Sequence, residues 1–232
     1  MEKPRRLRNV LRAAASALAL SGTPAEATPR TPVAIEQILP SEPMLRGGEA
    51  RPPQAFVELC ERLAALCEAQ DKSPRELAKR RSSFEKDLEE LSDVNTYVNT
   101  NVKPETDSEQ YGVADRWDIA RIGGAGDCED YVLLKRELLL KKGWQPQDLL
   151  ITVVKDEQGN GHAILTVRTE KGEFVLDNRK PDVVPWTVSR DIYGYTFYEI
   201  ESYLNPRVWF EIKNGSSAGY FLGPMAPVLP HD

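Results

Sequence analysis

Residues 123–144 read GGAGDCEDYVLLKRELLLKKGW, and this stretch predicts a glycine turn followed by one long amphipathic helix. The helix is expected to begin at Cys128 and to end at residues 141–143 (KKG), because cations and glycine favour a helix C-terminus. Cys128 lies between the acidic residues Asp127 and Glu129. Nearby carboxylates raise the pKa of a thiol, so Cys128 is expected to be unreactive unless another group stabilises its thiolate.

The sequence before the glycine turn is typical of helices, and the sequence after residue 144 is typical of strands. Residues 54–70 carry an apolar stripe at helical spacing, and a second helix is expected to run from an N-cap at Ser73 to about Asn99. The period of strands appears in five later segments: DLLITVVKD, HAILTVRTE, GEFVLDN, YGYTFYEI and RVWFEI. Together these patterns predict an α+β fold, with N-terminal helices and the Cys128 helix packed on an antiparallel sheet.

The composition is that of an ordinary globular protein with no sign of nucleic-acid binding. The chain has 232 residues and a net charge of −6, which suits one domain with a proper core. Two basic clusters, at 79–81 (KRR) and 135–142 (KRELLLKK), are interleaved with acids and are expected to be solvated helix faces. Beyond the N-terminus, no segment approaches the roughly 18 apolar residues that a membrane span requires.

The first 27 residues predict a secretory signal peptide, with a cytosolic amphipathic arm as the alternative. A basic region and a short apolar stretch precede Ala-Glu-Ala at 25–27. Export would place the mature chain, from about Thr28, in the oxidising periplasm. The sequence thus divides into four parts: a signal peptide at 1–27, an extended leader at 28–53, a folded domain at 54–212 and a flexible tail at 213–232.

A histidine and an aspartate are expected to meet on the predicted hairpin. His162 is one of two histidines, and it opens a strand, while Asp177 closes the next strand. If residues 170–171 form a two-residue turn, residue 164 lies opposite residue 177, and His162 and Asp177 become diagonal neighbours on one face. A turn of odd length would put them on opposite faces.

These residues together suggest a nucleophile with its base. The dipole at the start of a helix and a nearby imidazole both stabilise a thiolate, and a carboxylate would orient the ring. Cys128, His162 and Asp177 are therefore candidate catalytic residues, if the adjacent acids point elsewhere; a buried structural thiol is the alternative. The acids around Cys128 are explained by helix capping or by a hard cation such as Ca²⁺.

The segments DRWDIARIGGAGDCEDYVLLKRELLLKKGW, GNGHAILTVRT and GEFVLDN resemble the bacterial transglutaminase-like cysteine peptidases, which include the LapG-type periplasmic proteases. The resemblance implies a papain/transglutaminase-like core with Cys128 as nucleophile, His162 as base and Asp177 as the third member of a triad. It also implies a Ca²⁺ site built from Asp127 and Glu129, with Asp130 as a further ligand.

The same resemblance implies a function and partners. It suggests a periplasmic, calcium-dependent endopeptidase that cleaves a large surface adhesin or another exported protein in biofilm control. It also suggests sequestration by an inner-membrane receptor for cyclic di-GMP. Two other functions fit the same residues: an acyl-transferring transglutaminase or amidase, and a non-catalytic, calcium-stabilised binding module.

Cys60 and Cys67 resemble a cysteine pair found in one branch of this family, although Ala64 replaces the proline expected between them. In an unbroken helix, seven residues would separate the two Cα atoms by about 10 Å. A disulfide allows at most about 7 Å. Either the helix breaks and the cysteines bond, which an oxidising compartment would favour, or both remain thiols in the core.

Overall fold

The computed structural model of the protein describes residues 42–69 and 83–216. The predicted signal peptide, the cap at Ser73 and the end of the predicted tail lie outside the described residues. Short 3-10 helices lie at Ala64–Cys67 and Pro146–Asp148. In chain order, the other elements are β1 (Arg46–Ala50), α1 (Gln54–Arg62), α2 (Phe84–Asn101), β2 (Lys103–Pro104), α3 (Asp107–Gln110), β3 (Ala125–Gly126), α4 (Cys128–Lys141), β4 (Leu149–Lys155), β5 (Gly161–Thr169), β6 (Gly172–Leu176), β7 (Val184–Pro185), α5 (Trp186–Asp191), β8 (Thr196–Glu201) and β9 (Trp209–Ile212).

An antiparallel sheet of seven strands forms the centre of the fold, in the order β1-β9-β8-β4-β5-β6-β7. Both faces of its inner strands are buried. Ile151 and Leu165 pack with residues of α1, α2 and α4, whereas Leu150 and Ile164 pack with a second cluster that contains Trp186. The five segments predicted as strands form β4, β5, β6, β8 and β9. The predicted α+β fold, with helices packed on an antiparallel sheet, is confirmed.

The sheet extends into both flanking segments, which the sequence analysis placed outside the domain. Strand β1 pairs with β9 inside the predicted leader, and Met44 is buried. On the other side, Asn214 accepts a hydrogen bond from the N–H of Leu45, and Gly215 accepts one from the N–H of Phe197. Strand β1 was not predicted, because a short edge strand with two adjacent glycines has no readable alternation.

Helix α2 begins at Phe84, so one continuous helix from Ser73 to Asn99 is wrong. Ser83 has extended backbone (φ −75°, ψ 156°), and its hydroxyl accepts a hydrogen bond from the N–H of Lys86. Serine is a favourable N-cap, and Ser83 replaces Ser73 as the start of this helix. None of the helices within the described residues combines the length and apolar character that a membrane crossing requires.

Helix α4 is buried on nearly all sides, although its charged residues predict a solvated face. Lys135 and Arg136 are 0% and 8% exposed, which contradicts that prediction. Arg136 pairs with the buried Glu201 at 3.1 Å, and Glu201 also accepts a hydrogen bond from the N–H of Ile151. A partner 65 residues away compensates the cost of burying Arg136, and local sequence does not reveal such a partner.

The helix predicted for residues 54–70 breaks at Leu63, and the break allows Cys60 and Cys67 to form a disulfide. Helix α1 ends at Arg62, and the 3-10 helix that follows brings the two cysteine Cα atoms to 5.6 Å. Leu63, an apolar residue within the segment predicted as one helix, is exposed at the break. The open alternatives for the cysteine pair are thus resolved in favour of the bond.

We expect reduction of this disulfide to lower the free energy of unfolding. The bond closes a loop with a sequence separation of 7, which corresponds to about 2–3 kcal/mol from restriction of the unfolded chain. The measurement is urea unfolding of the chain with and without a phosphine reductant. The Cys60→Ala/Cys67→Ala variant is the matched comparison, and a loss in that variant without any loss on reduction would assign the effect to packing alone.

Candidate active site

The start of α4 is held in place by the glycine turn and by the end of α2. Gly123 has a φ of 82°, which glycine adopts without strain, and its N–H donates to the carbonyl of Asn101. Strand β3 then pairs with β2. A Cβ on Gly126 would lie 2.8 Å from the side chain of Asp130, so glycine is required there. These contacts fix the position at which Cys128 begins the helix.

The hairpin of β5 and β6 has the register that the sequence analysis needed. Thr169 pairs with Gly172, so residues 170–171 form a two-residue turn, and Leu165 pairs with Leu176. This register puts His162 and Asp177 on one face, as predicted. The His162 Nε2 atom lies 2.8 Å from Asp177 Oδ1, and both side chains are buried.

Asp177 is surrounded by hydrogen-bond donors. Its Oδ1 also accepts from the N–H of Arg179 at 2.9 Å, and its Oδ2 accepts from the hydroxyl of Tyr195 at 2.7 Å. Burial acts to raise the pKa of the Asp177 carboxyl, but the bonds from His162, Arg179 and Tyr195 lower that pKa below its usual value. Asp177 is therefore ionised and can orient the His162 ring. The Tyr195 ring also packs edge-on against His162, with 5.7 Å between ring centroids.

Cys128 lies against the strand that carries His162. The N–H of Ala163, the next residue after His162, donates to Cys128 Sγ at 3.4 Å. His162 uses Nε2 for Asp177, and its Nδ1 is buried with no hydrogen-bond partner among the described residues. Nδ1 is thus the ring nitrogen that Asp177 does not occupy.

The acids beside Cys128 do not all point away from it, which corrects one condition of the sequence analysis. The thiol donates to Glu129 Oε2 at 3.2 Å. Burial, followed by the carboxylate of Glu129, raises the pKa of the Cys128 thiol well above its usual value, against the opposing effect of the Ala163 N–H. In this environment, Cys128 holds its proton unless positive charge is added nearby.

Five carboxylates gather at the start of α4 in two overlapping groups that share Asp107. Within each group the ligand atoms lie within 4.8 Å of one another. The first group contains Asp107, Asp127 and Asp130, and the second contains Asp107, Asp115 and Glu129. Two of the three predicted ligands, Asp127 and Asp130, are therefore in the first group, and Glu129 is in the second.

The chemistry of these carboxylates fits a hard cation. Asp107 Oδ1, Asp127 Oδ1 and Glu129 Oε1 are buried with no hydrogen-bond partner among the described residues. Burial, with Asp127 adding to it, raises the pKa of Glu129 to about 9, and burial raises the pKa of Asp130 to about 7. Unpaired buried carboxylate oxygens are costly without a counter-charge, and an oxygen-only donor set is the type that Ca²⁺ prefers.

The sequence profile of the bacterial transglutaminase-like cysteine proteinases (BTLCP) matches residues 46–217. The chain belongs to this family. It is therefore a cysteine peptidase with a transglutaminase-like fold, as the sequence motifs predicted. The matched range includes β1 and excludes most of the predicted leader, in agreement with the sheet described above.

Solved structures similar to this family member come from Legionella pneumophila. Calcium-bound LapG aligns with a TM-score of 0.45 and 18% identity, over 72% of this chain and 83% of LapG. EGTA-treated LapG aligns with a TM-score of 0.43 and 19% identity, over 71% of this chain and 81% of LapG. No curated protein sequence matches the chain.

Four residues around the site were not identified from the sequence of this cysteine peptidase. Asp107 lies in a capping box at the start of α3, a pattern that predicts a short helix but not its approach to Asp127. Asp115 and Tyr195 lie in loops, and the buried position of Lys135 is concealed by neighbouring charges. Each depends on contacts between distant segments, for which local spacing carries no signal.

Tyr195→Phe is expected to weaken the site of this peptidase without unfolding it. The change keeps the ring against His162 and removes one of three donors to Asp177. We expect the alkylation rate of Cys128 near pH 6.5 to fall by about three- to tenfold, which corresponds to the roughly 0.5–1.5 kcal/mol that one hydrogen bond contributes, because two donors to Asp177 remain. The measurement is iodoacetamide labelling with mass mapping. Tyr198→Phe, at an exposed position of strand β8, is the control, and equal rates in both variants would contradict the role of Tyr195.

Proposed function

We propose that this family member is a calcium-dependent cysteine endopeptidase with Cys128 as nucleophile, His162 as base and Asp177 as the residue that orients His162. The single observation that carries this proposal is the arrangement of the imidazole. Its Nε2 is bonded to an ionised carboxylate, its Nδ1 is free, and the next backbone N–H lies 3.4 Å from Cys128 Sγ. Cys128 is also the one cysteine outside the disulfide, out of three in the sequence.

The arrangement supports a two-stage hydrolysis. His162 Nδ1 takes the proton of Cys128, and the thiolate attacks a backbone carbonyl carbon of the substrate. The C–N bond then breaks, His162 returns the proton to the leaving amine, and a thioester forms on Cys128. Water attacks this thioester with His162 as base, which releases the acid and restores the thiol. Throughout, Asp177 stabilises the charged imidazole.

Calcium would be held by the carboxylates at the start of α4. Asp107, Asp127 and Glu129 would supply the oxygens that now lack partners, with Asp115 and Asp130 adjacent. When bound, the ion would supply positive charge beside Cys128 and so oppose the acids that raise its thiol pKa. Asp127 and Glu129 would then serve both the metal and, through it, the nucleophile.

We further propose that the enzyme acts in the periplasm on an exported protein, of which a large surface adhesin is the leading candidate. The disulfide between Cys60 and Cys67 supports an oxidising compartment, since such bonds are rare in the cytosol. The basic and apolar pattern of residues 1–27 supports export through a signal peptide. Regulation by an inner-membrane receptor for cyclic di-GMP belongs to the same proposal.

A peptide library tests the proposed reaction without knowledge of the substrate. We expect the enzyme with calcium to create new N-termini in a library of proteome-derived peptides, and Cys128→Ala to create none. A primary amine added to the same reaction separates hydrolysis from acyl transfer. Amine adducts in place of free acids would favour the transglutaminase or amidase. Identical peptide profiles for the enzyme and Cys128→Ala would favour a binding module.

A further inference from the structure

Lys135 is a buried cation that the proposed reaction does not use. Its side chain is 0% exposed, and Nζ has no hydrogen-bond partner among the described residues. The Tyr131 ring centroid lies 6.0 Å from Nζ, at the outer limit of a cation–π contact. A methionine or leucine would fill such a position in a core at lower cost, so the charge requires an explanation.

Contacts between α2 and α4 place Lys135 opposite two asparagines. The Tyr131 hydroxyl donates to the carbonyl of Val102 at 2.6 Å, and Lys142 pairs with Glu90 at 3.5 Å, so the helices run antiparallel. In α4, Lys135 lies about one turn after Tyr131. Because α2 runs in the opposite direction, Lys135 is at the level of the α2 residue about one turn before Val102. Asn99 is at that level, and Asn95 is one turn earlier in α2.

The two asparagines hold the segment that follows Asp177. Asn99 Nδ2 donates to the carbonyl of Asp177 at 2.9 Å, and Asn95 Nδ2 donates to the carbonyls of Lys180 and Pro181 at 3.1 Å each. Carbonyls accept only, so these bonds fix which end of each amide is nitrogen. Both Oδ1 atoms are buried and have no partner among the described residues.

We propose that Lys135 is a positioning residue for Asp177: its ammonium lies at the level of the unpaired oxygens of Asn95 and Asn99 and compensates them electrostatically, while the nitrogens of both amides hold the backbone from Asp177 to Pro181. An ammonium has three donors and no acceptor, and the two oxygens are acceptors without donors at the same level. Its charge polarises both amides and strengthens their bonds to the segment. The inference rests on the proposed role of Asp177.

The electrostatics agree with this arrangement. Burial lowers the pKa of Lys135 to about 7, and the Asp177 carboxylate acts in the opposite direction, so the two charges are close enough to interact. Replacement of a buried ion by an apolar side chain of similar volume is often neutral or stabilising for the fold. A positioning role therefore predicts a loss of reactivity without a loss of stability.

Lys135→Met tests this inference, with Lys141→Met on the exposed side of α4 as control. Both proteins are measured in the presence of calcium. We expect Lys135→Met to keep or raise the thermal midpoint of unfolding. We also expect it to lower the rate of Cys128 alkylation by iodoacetamide near pH 6.5 by about tenfold, which corresponds to a rise of roughly one unit in the thiol pKa. In an Asp177→Asn background, Lys135→Met should have no further effect, because the residue acts through Asp177.

The inference would be overturned if Lys135→Met is alkylated at a rate within about twofold of the unmodified chain. It would also be overturned if Lys135→Met lowers the rate as much in the Asp177→Asn background as in the unmodified chain. If Lys135→Met does not fold, Asn99→Ala carries the test, and the inference requires it to show the same dependence on Asp177. His162→Ala is measured in parallel. If His162→Ala does not change the alkylation rate of Cys128, both the triad and this inference are refuted. If His162→Ala lowers the rate but Lys135→Met does not, this inference alone is refuted.

Discussion

His162→Ala is expected to lower the alkylation rate of Cys128 by about a hundredfold near pH 6.5 with calcium present, at the low end of what a positioned base contributes. Nδ1 of His162 is the proposed proton acceptor for the thiol, and its loss leaves Cys128 among groups that raise its pKa. The reaction is followed by iodoacetamide labelling and mass mapping of the modified cysteine. His231→Ala, which removes the other histidine in the sequence, should leave the rate unchanged.

The pH dependence distinguishes a thiolate–imidazolium pair from a simple thiol. With His162 present, the alkylation rate should change little between about pH 6 and 8, because the imidazolium keeps Cys128 ionised throughout this range. Without His162, burial and Glu129 keep the thiol pKa well above its usual value. The rate should then rise about tenfold per pH unit over the same range. Equal profiles in the two proteins would contradict the triad.

Removal of calcium is expected to have the second large effect. The rate of Cys128 alkylation at pH 7 should decrease about tenfold or more, because the thiol pKa should rise by about one unit or more. The carboxylates at the start of α4 would then face the thiol without a counter-charge. Asp107 belongs to both groups of ligand atoms, so Asp107→Asn should raise the calcium concentration needed for reactivity. Asp93→Asn, at an exposed carboxylate of α2, should leave it unchanged.

Calcium binding should also release protons at pH 7. Burial and Asp127 raise the pKa of Glu129 to about 9, so this carboxyl binds a proton at pH 7 in the calcium-free protein. The ion must displace that proton, and apparent affinity should therefore increase as the pH rises toward 9. Calorimetric titration in two buffers of different ionisation enthalpy measures the release. Equal binding enthalpies in both buffers would show that calcium binding releases no proton and would contradict this prediction.

Local patterns predicted the pairing of His162 with Asp177 but did not predict strand β1. The pairing of His162 with Asp177 depended on one turn length, and alternation along two long strands made the register readable. Strand β1 carried no such pattern, since its two glycines and edge position remove the alternation on which strand prediction depends.

Local sequence patterns did not predict the contacts between segments that are distant along the chain. Tyr195 and Asp107 reach their partners across 18 and 20 residues, through a loop and a short helix whose paths no periodicity describes. The orientation of Glu129 was equally open. A helix position fixes the backbone of residue 129, but only the packing around it decides that its carboxylate meets the thiol rather than solvent.

The amino-acid sequence by itself determined the α+β fold, the family, the helix that begins at Cys128 and the hairpin that joins His162 to Asp177. These depend on residue type and on periods of two and 3.6 residues, which are local properties of the chain. Tertiary structure alone decided the burial of Lys135, the shared carboxylate of Asp107 and the raised pKa of Cys128. Burial and charge compensation depend on which groups meet after folding, and the cost or gain of a charge is set by those neighbours.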